Sequence, residues 1–393
     1  MSVESEQITD KLWPSMVDAA FVVKLRDIVK RDIAPAADDI DEKDYYPAEI
    51  IRSLAREGYN AMTLPVEYGG RGMSYAMAVA LCEEIAASSA ATAASIITIF
   101  QAQTMLNLFG EESLKRQYLP AFAEGLISAY ALTEENHGSD IRRLDTKAKL
   151  TGDRWILNGE KHFISAATEA DFAIVLAETD RGVSAFAVPL TQDGVEIYEG
   201  RNSETFGLRN GPHMNVRFKD VVLPENHLVG EEGRGVRQAV TVLDHSRTLA
   251  AAISIGIARS AFDGALRFAS GRKVFDRRVL EFQGIQWYFA DMLAEIDSAR
   301  LLVYRTAEAL QKHDNIALWG SAAKLKASSV ATNVAVRAAQ ICGAYGIMKH
   351  APFGRYMRDA KAYEIGGGSS EVLKNTIAKH LVLTAAKIGQ KSA

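Results

Sequence analysis

The chain has 393 residues, enough for two or three domains and a large buried core. Its 45 basic and 49 acidic residues give a formal net charge of −4 with no basic block, so nucleic-acid binding has no electrostatic support. The two cysteines, Cys82 and Cys342, exclude a disulfide framework and suit a reducing compartment.

Residues 1–10 are polar and acidic, without the basic and apolar regions of a signal peptide. The longest apolar runs, near 90–100 and 249–258, read as too short to span a bilayer. A cytoplasmic protein that does not span a membrane is expected.

Residues 1–125 read as a helical domain. Phe21, Val22, Leu25, Ile28 and Val29 recur at helical spacing over 21–33, and Pro35 is expected to end that helix. Further helices are expected over 50–57, 75–87 and 93–109, the last rich in small apolar residues such as Ala93 and Ala94. From 126 to 233 the period shortens. Runs at 172–177, 184–188, 195–198 and 214–218 are β-branched or alternating and are separated by Pro, Gly, Asp and Asn, as in a small β-sandwich or barrel domain. From 234 to 393 the helical period returns over 235–269, 282–309, 315–344 and 371–386, which predicts a four-helix bundle. In the second of these, Ile285, Tyr288, Phe289, Met292, Leu293, Ile296, Ala299 and Leu302 form one stripe. The fold class is therefore α+β and mostly α.

The stretch 129–165 is the most informative. A strand from Ala129 stops at a polar turn where Gly138 and Ser139 free backbone donors. Trp155–Leu157 then reads as a strand, Asn158-Gly159 as a hairpin turn, and Phe163 as lying on the returning strand. A hydroxyl-and-amide edge beside an aromatic side chain suits a flat heteroaromatic ring, although an ordinary hairpin has the same pattern. Gly366-Gly367-Gly368-Ser369-Ser370-Glu371 precedes the last helix, which Ser369 or Ser370 could cap. Its amides could hold an anion or polarise a carbonyl, or the run could be a connector, and it lacks the ending of a P-loop. Arg272-Lys273-Val274-Phe275, ahead of Gln283, could hold a phosphate or form a solvated turn. Asp244 and Arg247 lie three apart on one helical face, the spacing of a structural ion pair. His162, His213 and His350 lack metal-ligand spacing, and no metal is assigned.

Taken in this order, these stretches resemble the acyl-CoA dehydrogenase superfamily over essentially the whole chain. The resemblance implies FAD at the junction of the β domain and the C-terminal bundle, an acyl-CoA thioester substrate, a homotetramer and an acceptor such as electron-transfer flavoprotein. By position, Tyr130, Leu132 and Thr133 would meet the flavin ring edge, at the polar turn that includes Gly138. Ser139 would bond the pyrophosphate or the thioester arm. Phe163 would lie against the isoalloxazine, and Ser165 would bond flavin N5. Arg272 and Phe275, with Gln283 nearby, would reach the FAD of a neighbouring subunit. Gln340 and Gly343 would grip its adenosine diphosphate, and Ser369 and Glu371 would lie beside adenine and pyrophosphate. Asp244, Arg247 and Gly368 would lie near the thioester and its pantetheine arm. His137, Arg143, Asp276 and Ala344 depart from the family pattern.

The resemblance also implies a carboxylate base that removes the α-proton, a contribution of roughly 10²–10⁴ in rate. The two positions at which members carry it are Gly367 and Ser246 here, and neither is acidic. The backbone N–H of Gly367 could still polarise the thioester carbonyl. Asp244, His245 and Glu364 are the nearest alternatives in sequence. Four readings follow: a dehydrogenase with a relocated base, a desulfinase-like β-elimination, a flavin monooxygenation, and a cofactor-holding partner subunit. The first is preferred.

Overall fold

The computed structural model describes residues 16–201, 203–312 and 316–391. The stretch read as a polar N-terminus, and Asn315, lie outside the described residues. The N-terminal helices are α1 (Ala19–Ile28), α2 (Ala37–Lys43), α3 (Ala48–Arg56), α4 (Tyr75–Ala86), α5 (Ala90–Phe109) and α6 (Glu112–Tyr118). Val22, Leu25 and Ile28 form the buried stripe of α1. Pro35 does not end the helical path, contrary to expectation. The chain passes through a π turn (Val29–Ile33) and a 3-10 turn (Ala34–Ala36) into α2. Proline is tolerated in the first turn of that 3-10 segment, where its missing N–H breaks no bond. Ser89 caps α5 by accepting a hydrogen bond from the Thr92 amide at 3.2 Å.

The middle of the chain holds β1 (Ser128–Ala131), β2 (Lys147–Thr151), β3 (Arg154–Ile164), β4 (Phe172–Thr179), β5 (Gly182–Pro189), β6 (Val195–Tyr198), β7 (Met214–Pro224) and β8 (Leu228–Val229). They form one sheet in the order β6-β7-β3-β2-β4-β5-β8, with β1 parallel to β4. In the strand ladder its two halves meet where Lys147 of β2 pairs with Glu178 of β4. Trp155 of β3 meets Phe186 of β5 edge to face at 5.1 Å, so the halves face one another as a sandwich.

Asn158-Gly159 is not a hairpin turn. β3 runs straight through it, and the reversal lies one turn earlier at Gly152-Asp153, because Thr151 pairs with Arg154. At Asn158 the ladder to β7 slips instead, forming a bulge at which Gly159 takes φ +140°. Asn158 donates to the Asp220 carboxylate at 3.0 Å and accepts from the Asp220 amide at 2.8 Å, which holds the bulge.

The last part holds α7 (Gly235–Gly271), the ribbon β9 (Lys273–Val274) and β10 (Arg277–Arg278), α8 (Gln283–Gln311), α9 (Ile316–Cys342), α10 (Phe353–Ile365) and α11 (Ser370–Lys391). α7, α8, α9 and α10 pack together, and α11 lies on α9. α10 was not expected from sequence, because its buried positions include Asp359 beside Ala360 and Tyr363. In α8 the apolar stripe does not extend to Tyr288, which is exposed together with Trp287. The run near 249–258 belongs to a helix long and apolar enough to cross a membrane by length and composition. However, 83% of that apolar window is buried within the protein, as in a core helix.

A buried charge cluster joins the N-terminal helices to the bundle. Glu83 of α4 meets Arg259 of α7 at 2.7 Å, Arg300 of α8 at 2.9 Å and the Tyr304 hydroxyl at 3.0 Å. Glu84 bonds Arg259 and Arg26. Burial opposes ionisation of Glu84, but the two guanidinium groups outweigh it and hold its carboxyl at about 2.

Candidate active site

Three polar residues spaced three apart on the apolar helix α5 link the parts of the site. Ser95 accepts from the Asn210 amide group at 2.9 Å, Thr98 lends its carbonyl to the Ser128 hydroxyl at 3.3 Å, and Gln101 donates to the Ser246 hydroxyl at 3.2 Å. α5 thus contacts the loop before β7, the start of β1 and helix α7. The sequence reading noticed only its small residues. The signal it missed was a polar residue at every third position of an otherwise apolar run.

The end of β1 and the end of β3 form one edge. The His162 amide donates to the Thr133 carbonyl at 2.9 Å. Lys161, fully buried, donates to the Leu132 carbonyl at 3.1 Å and to Glu134 at 2.6 Å. Burial brings the Lys161 ammonium down to about 8, although Glu134 pulls it up. Burial opposes ionisation of Glu134, yet Lys161, Thr146 and the Asp145 amide leave its carboxyl below the ordinary value. Glu134, His137 and Asp145 offer ligand atoms within 4.8 Å of one another, but Glu134 is already engaged in this way. Phe163 takes φ +57° and is half exposed, and Ala166 takes φ +65°. Side chains are held in that region only where the surroundings impose it, commonly at sites. The Tyr130 hydroxyl is buried with no partner among the described residues, and burial raises its pKa. Gly138 has open space where a Cβ would stand.

The second part of the site is the glycine run. Gly367 takes φ +71° and Gly368 φ +108°, conformations suited to glycine. Arg247 donates to the Gly367 carbonyl at 3.2 Å, and buried Lys324 donates to the Gly368 carbonyl at 2.6 Å. A trans peptide holds N–H and C=O on opposite sides. The two cations therefore turn the amides of Gly368 and Ser369 away from themselves. Among the described residues, no acceptor meets the Gly367 N–H. A Cβ added at Gly367 would meet nothing within 4 Å, so the space over this turn is open. Burial, aided by the charge of Arg247, lowers the Lys324 ammonium to about 8. Asp244 bonds Arg247 at 2.6 Å, and burial raises its carboxyl against that pull. The Ser369 hydroxyl accepts from the Val372 amide at 3.4 Å, so Ser369 is the residue that caps α11.

The possible bases differ in their engagement. The Ser246 hydroxyl is held between Gln101 and the Leu243 carbonyl. Glu364 bonds Lys361 at 2.5 Å. The His245 ring bonds the Thr241 carbonyl at 2.8 Å.

The remaining candidates are exposed at the surface. Ser139 and Arg143 lie exposed on the loop after β1. Arg272 lies 5.8 Å from the Tyr345 ring, next to Gly343 and the exposed Gln340 at the end of α9. Phe275 is 88% exposed at φ +49°, and Asp276 takes φ +59° in the tight turn between β9 and β10. Gln283 and Glu371 begin α8 and α11 with exposed side chains.

Profiles of the acyl-CoA dehydrogenase N-terminal, middle and C-terminal domains match residues 18–126, 129–221 and 233–382. The chain therefore belongs to the acyl-CoA dehydrogenase family, a family of oxidoreductases. It is 35% identical over 366 residues to the probable acyl-CoA dehydrogenase FadE25 of Mycobacterium tuberculosis H37Rv, covering 91% of this chain and 93% of the relative. It is 34% identical over 368 residues to the human mitochondrial short-chain specific acyl-CoA dehydrogenase, covering 91% and 88%. The structure of butyryl-CoA dehydrogenase from Megasphaera elsdenii superposes with a TM-score of 0.90 at 31% identity, covering 94% of this chain and 99% of that one.

Proposed function

We propose that the protein is an FAD-dependent enzyme that binds an acyl-CoA thioester, polarises its carbonyl and oxidises its α,β bond. The observation that carries this reading is the glycine turn at 366–368. Arg247 and Lys324 hold the turn by its Gly367 and Gly368 carbonyls, the Gly367 N–H meets no acceptor among the described residues, and the space beside Gly367 is open. A preorganised donor aimed at a carbonyl oxygen stabilises the charge that develops there as the α-proton leaves.

FAD, when bound, supplies the two-electron acceptor. The chain fits it at several points. The orphaned Tyr130 hydroxyl, the exposed face of Phe163 and the open backbone at Gly138 suit a flat polar ring. Leu132 and Thr133 are fixed by Lys161 and the His162 amide of β3, and Ser165 directly follows that strand. Arg272, Phe275, Gln283, Gln340 and Gly343 lie away from this edge, which suits contacts to the FAD of a second copy. We further propose a homotetramer that passes electrons to an electron-transfer flavoprotein.

A second reading has its own support. Gly367 and Ser246 carry no carboxylate, and Asp244 is neutralised by Arg247. β-Elimination also removes the α-proton, but the Cβ–X bond then breaks with X leaving as an anion in place of hydride transfer. A good leaving group therefore asks less of a weak base at a site that polarises the thioester. A β-substituted acyl-CoA separates the two readings. Oxidation reduces flavin one-to-one with substrate, whereas elimination releases the substituent with flavin still oxidised. The first outcome is expected, and the second would replace it.

A further inference from the structure

The Ser165 hydroxyl has a partner that the sequence reading set aside. His213 Nε2 lies 3.0 Å from Ser165 Oγ. His213 ends a loop between β6 and β7 that is fixed from both helical domains. The Leu208 amide donates to Asp359 of α10 at 2.7 Å. Arg209 donates to the Asp41 carbonyl at 2.6 Å, and the Gly211 amide donates to Asp44 at 3.1 Å. Asn210 reaches Ser95 of α5. Gly207 packs so closely on α10 that a Cβ there would stand 2.2 Å from the Arg358 carbonyl. The His213 amide itself donates to the Ser203 carbonyl at 2.8 Å. The imidazole is thus held on Ser165 by the fold.

We propose that His213 is a positioning residue for the cofactor. Through Ser165 it presents a hydrogen-bond donor to flavin N5 in one redox state and an acceptor in the other. The inference rests on the proposed placement of Ser165 at N5. Oxidised N5 has a lone pair and needs a donor, whereas reduced N5 carries a hydrogen and needs an acceptor. With the proton on Nε2, the imidazole donates to Ser165 and leaves the hydroxyl hydrogen free for N5. With the proton on Nδ1, Nε2 accepts the hydroxyl hydrogen and leaves the oxygen lone pairs free for N5–H. The change needs only hydroxyl rotation and a tautomer exchange, with no net proton or electron taken from the protein. A neutral ring is required, and burial favours it by lowering the imidazole pKa. The charge facing it is Asp44, which opposes that shift and is itself 3.8 Å from Arg209.

The test is a double-mutant cycle on the FAD-loaded protein, reading the flavin midpoint potential by dye titration. Ser165→Ala and His213→Phe should each lower the midpoint by about 30 mV, roughly tenfold in the reduction equilibrium of a two-electron couple. The reduced state is left with an unpaired donor hydrogen and the oxidised state only with an unpaired lone pair, the smaller cost. His213→Phe should then have no further effect in the Ser165→Ala background. An equal His213 effect in both backgrounds means action other than through Ser165 and overturns the proposal, as does no effect in either. No shift from Ser165→Ala in protein that holds FAD removes Ser165 from N5. Failure to bind FAD at all refutes the parent reading. Should the variants not fold, ¹⁵N-histidine spectra of wild-type holoprotein decide it. The Nε2-protonated tautomer is expected when oxidised and the Nδ1-protonated tautomer when reduced, and one tautomer in both states overturns the proposal.

Discussion

Gly367 and Ser246 concentrate the chemistry at the scale of single residues. Gly367→Glu would project into open space, but at φ +71° it carries a backbone penalty of about 1–2 kcal/mol. Ser246→Glu must instead displace the hydrogen bond from Gln101. If a missing base is the main defect, at least one of these variants should speed flavin reduction by an acyl-CoA about a hundredfold. Stopped-flow absorbance measures this, and no gain at either position would mean that the pocket is shaped for other chemistry. Lys324 gives a pH-dependent prediction. Its folded pKa of about 8 lies below its ordinary 10.5, so the unfolded chain binds the extra proton between these values. Its contribution to stability is full above 10.5 and is lost as pH falls through about 8. The stability of Lys324→Met relative to wild type should therefore fall as pH rises from 8 to 10, by at most about 1.4 kcal/mol per pH unit. Denaturation midpoints at several pH values measure this, and a flat difference contradicts the burial assigned to Lys324.

At the scale of elements, long periodic helices were legible and local reversals were not. α7, α8 and α9 follow from apolar spacing alone. Asn158-Gly159 has the composition of a hairpin turn, yet β7 pairs on both sides of it and draws β3 through as one strand. That pairing joins residues far apart in sequence, which a local reading cannot detect. Pro35 does not stop the helical path because it falls in the first turn of a 3-10 segment, where no N–H is needed. The joint between α4, α7 and α8 was also invisible, because its charges are separated by more than a hundred residues. Glu83→Ala leaves Arg259 and Arg300 buried without their shared carboxylate, a loss of about 3–5 kcal/mol. Thermal unfolding should show a drop of several degrees, whereas an unchanged midpoint would remove this cluster as the clamp between the helical domains.

At the scale of the whole molecule, the order of helices, sheet and helices was legible, and it agrees with the three matched family domains. The candidate site was legible in part. Asp244 pairs with Arg247 as their spacing suggested, whereas the contact of Arg247 with the Gly367 carbonyl joins residues 120 positions apart, which spacing cannot relate. Lys324 was missed because nothing local marks a lone polar residue as aimed at a distant turn. His213 was set aside for want of metal-ligand spacing, and Gln101 was marked only by the three-residue spacing of polar positions on α5. Phe275, Trp287, Tyr345, Ile347 and Met348 are exposed at one end of the bundle and its ribbon, an apolar surface suited to a second copy. Phe275→Asp should lower both the assembly mass in light scattering and the FAD retained on gel filtration. A variant that loses neither would place Phe275 outside the subunit contact.

The central claim is that this chain activates and oxidises an acyl-CoA thioester at a flavin. Anaerobic titration of the FAD-loaded protein with a panel of saturated acyl-CoAs, beginning with short chains, tests it most directly. Loss of the oxidised-flavin absorbance with at least one thioester, in proportion to the amount added, is expected. Full retention of that absorbance with every thioester, despite demonstrable binding, would contradict it.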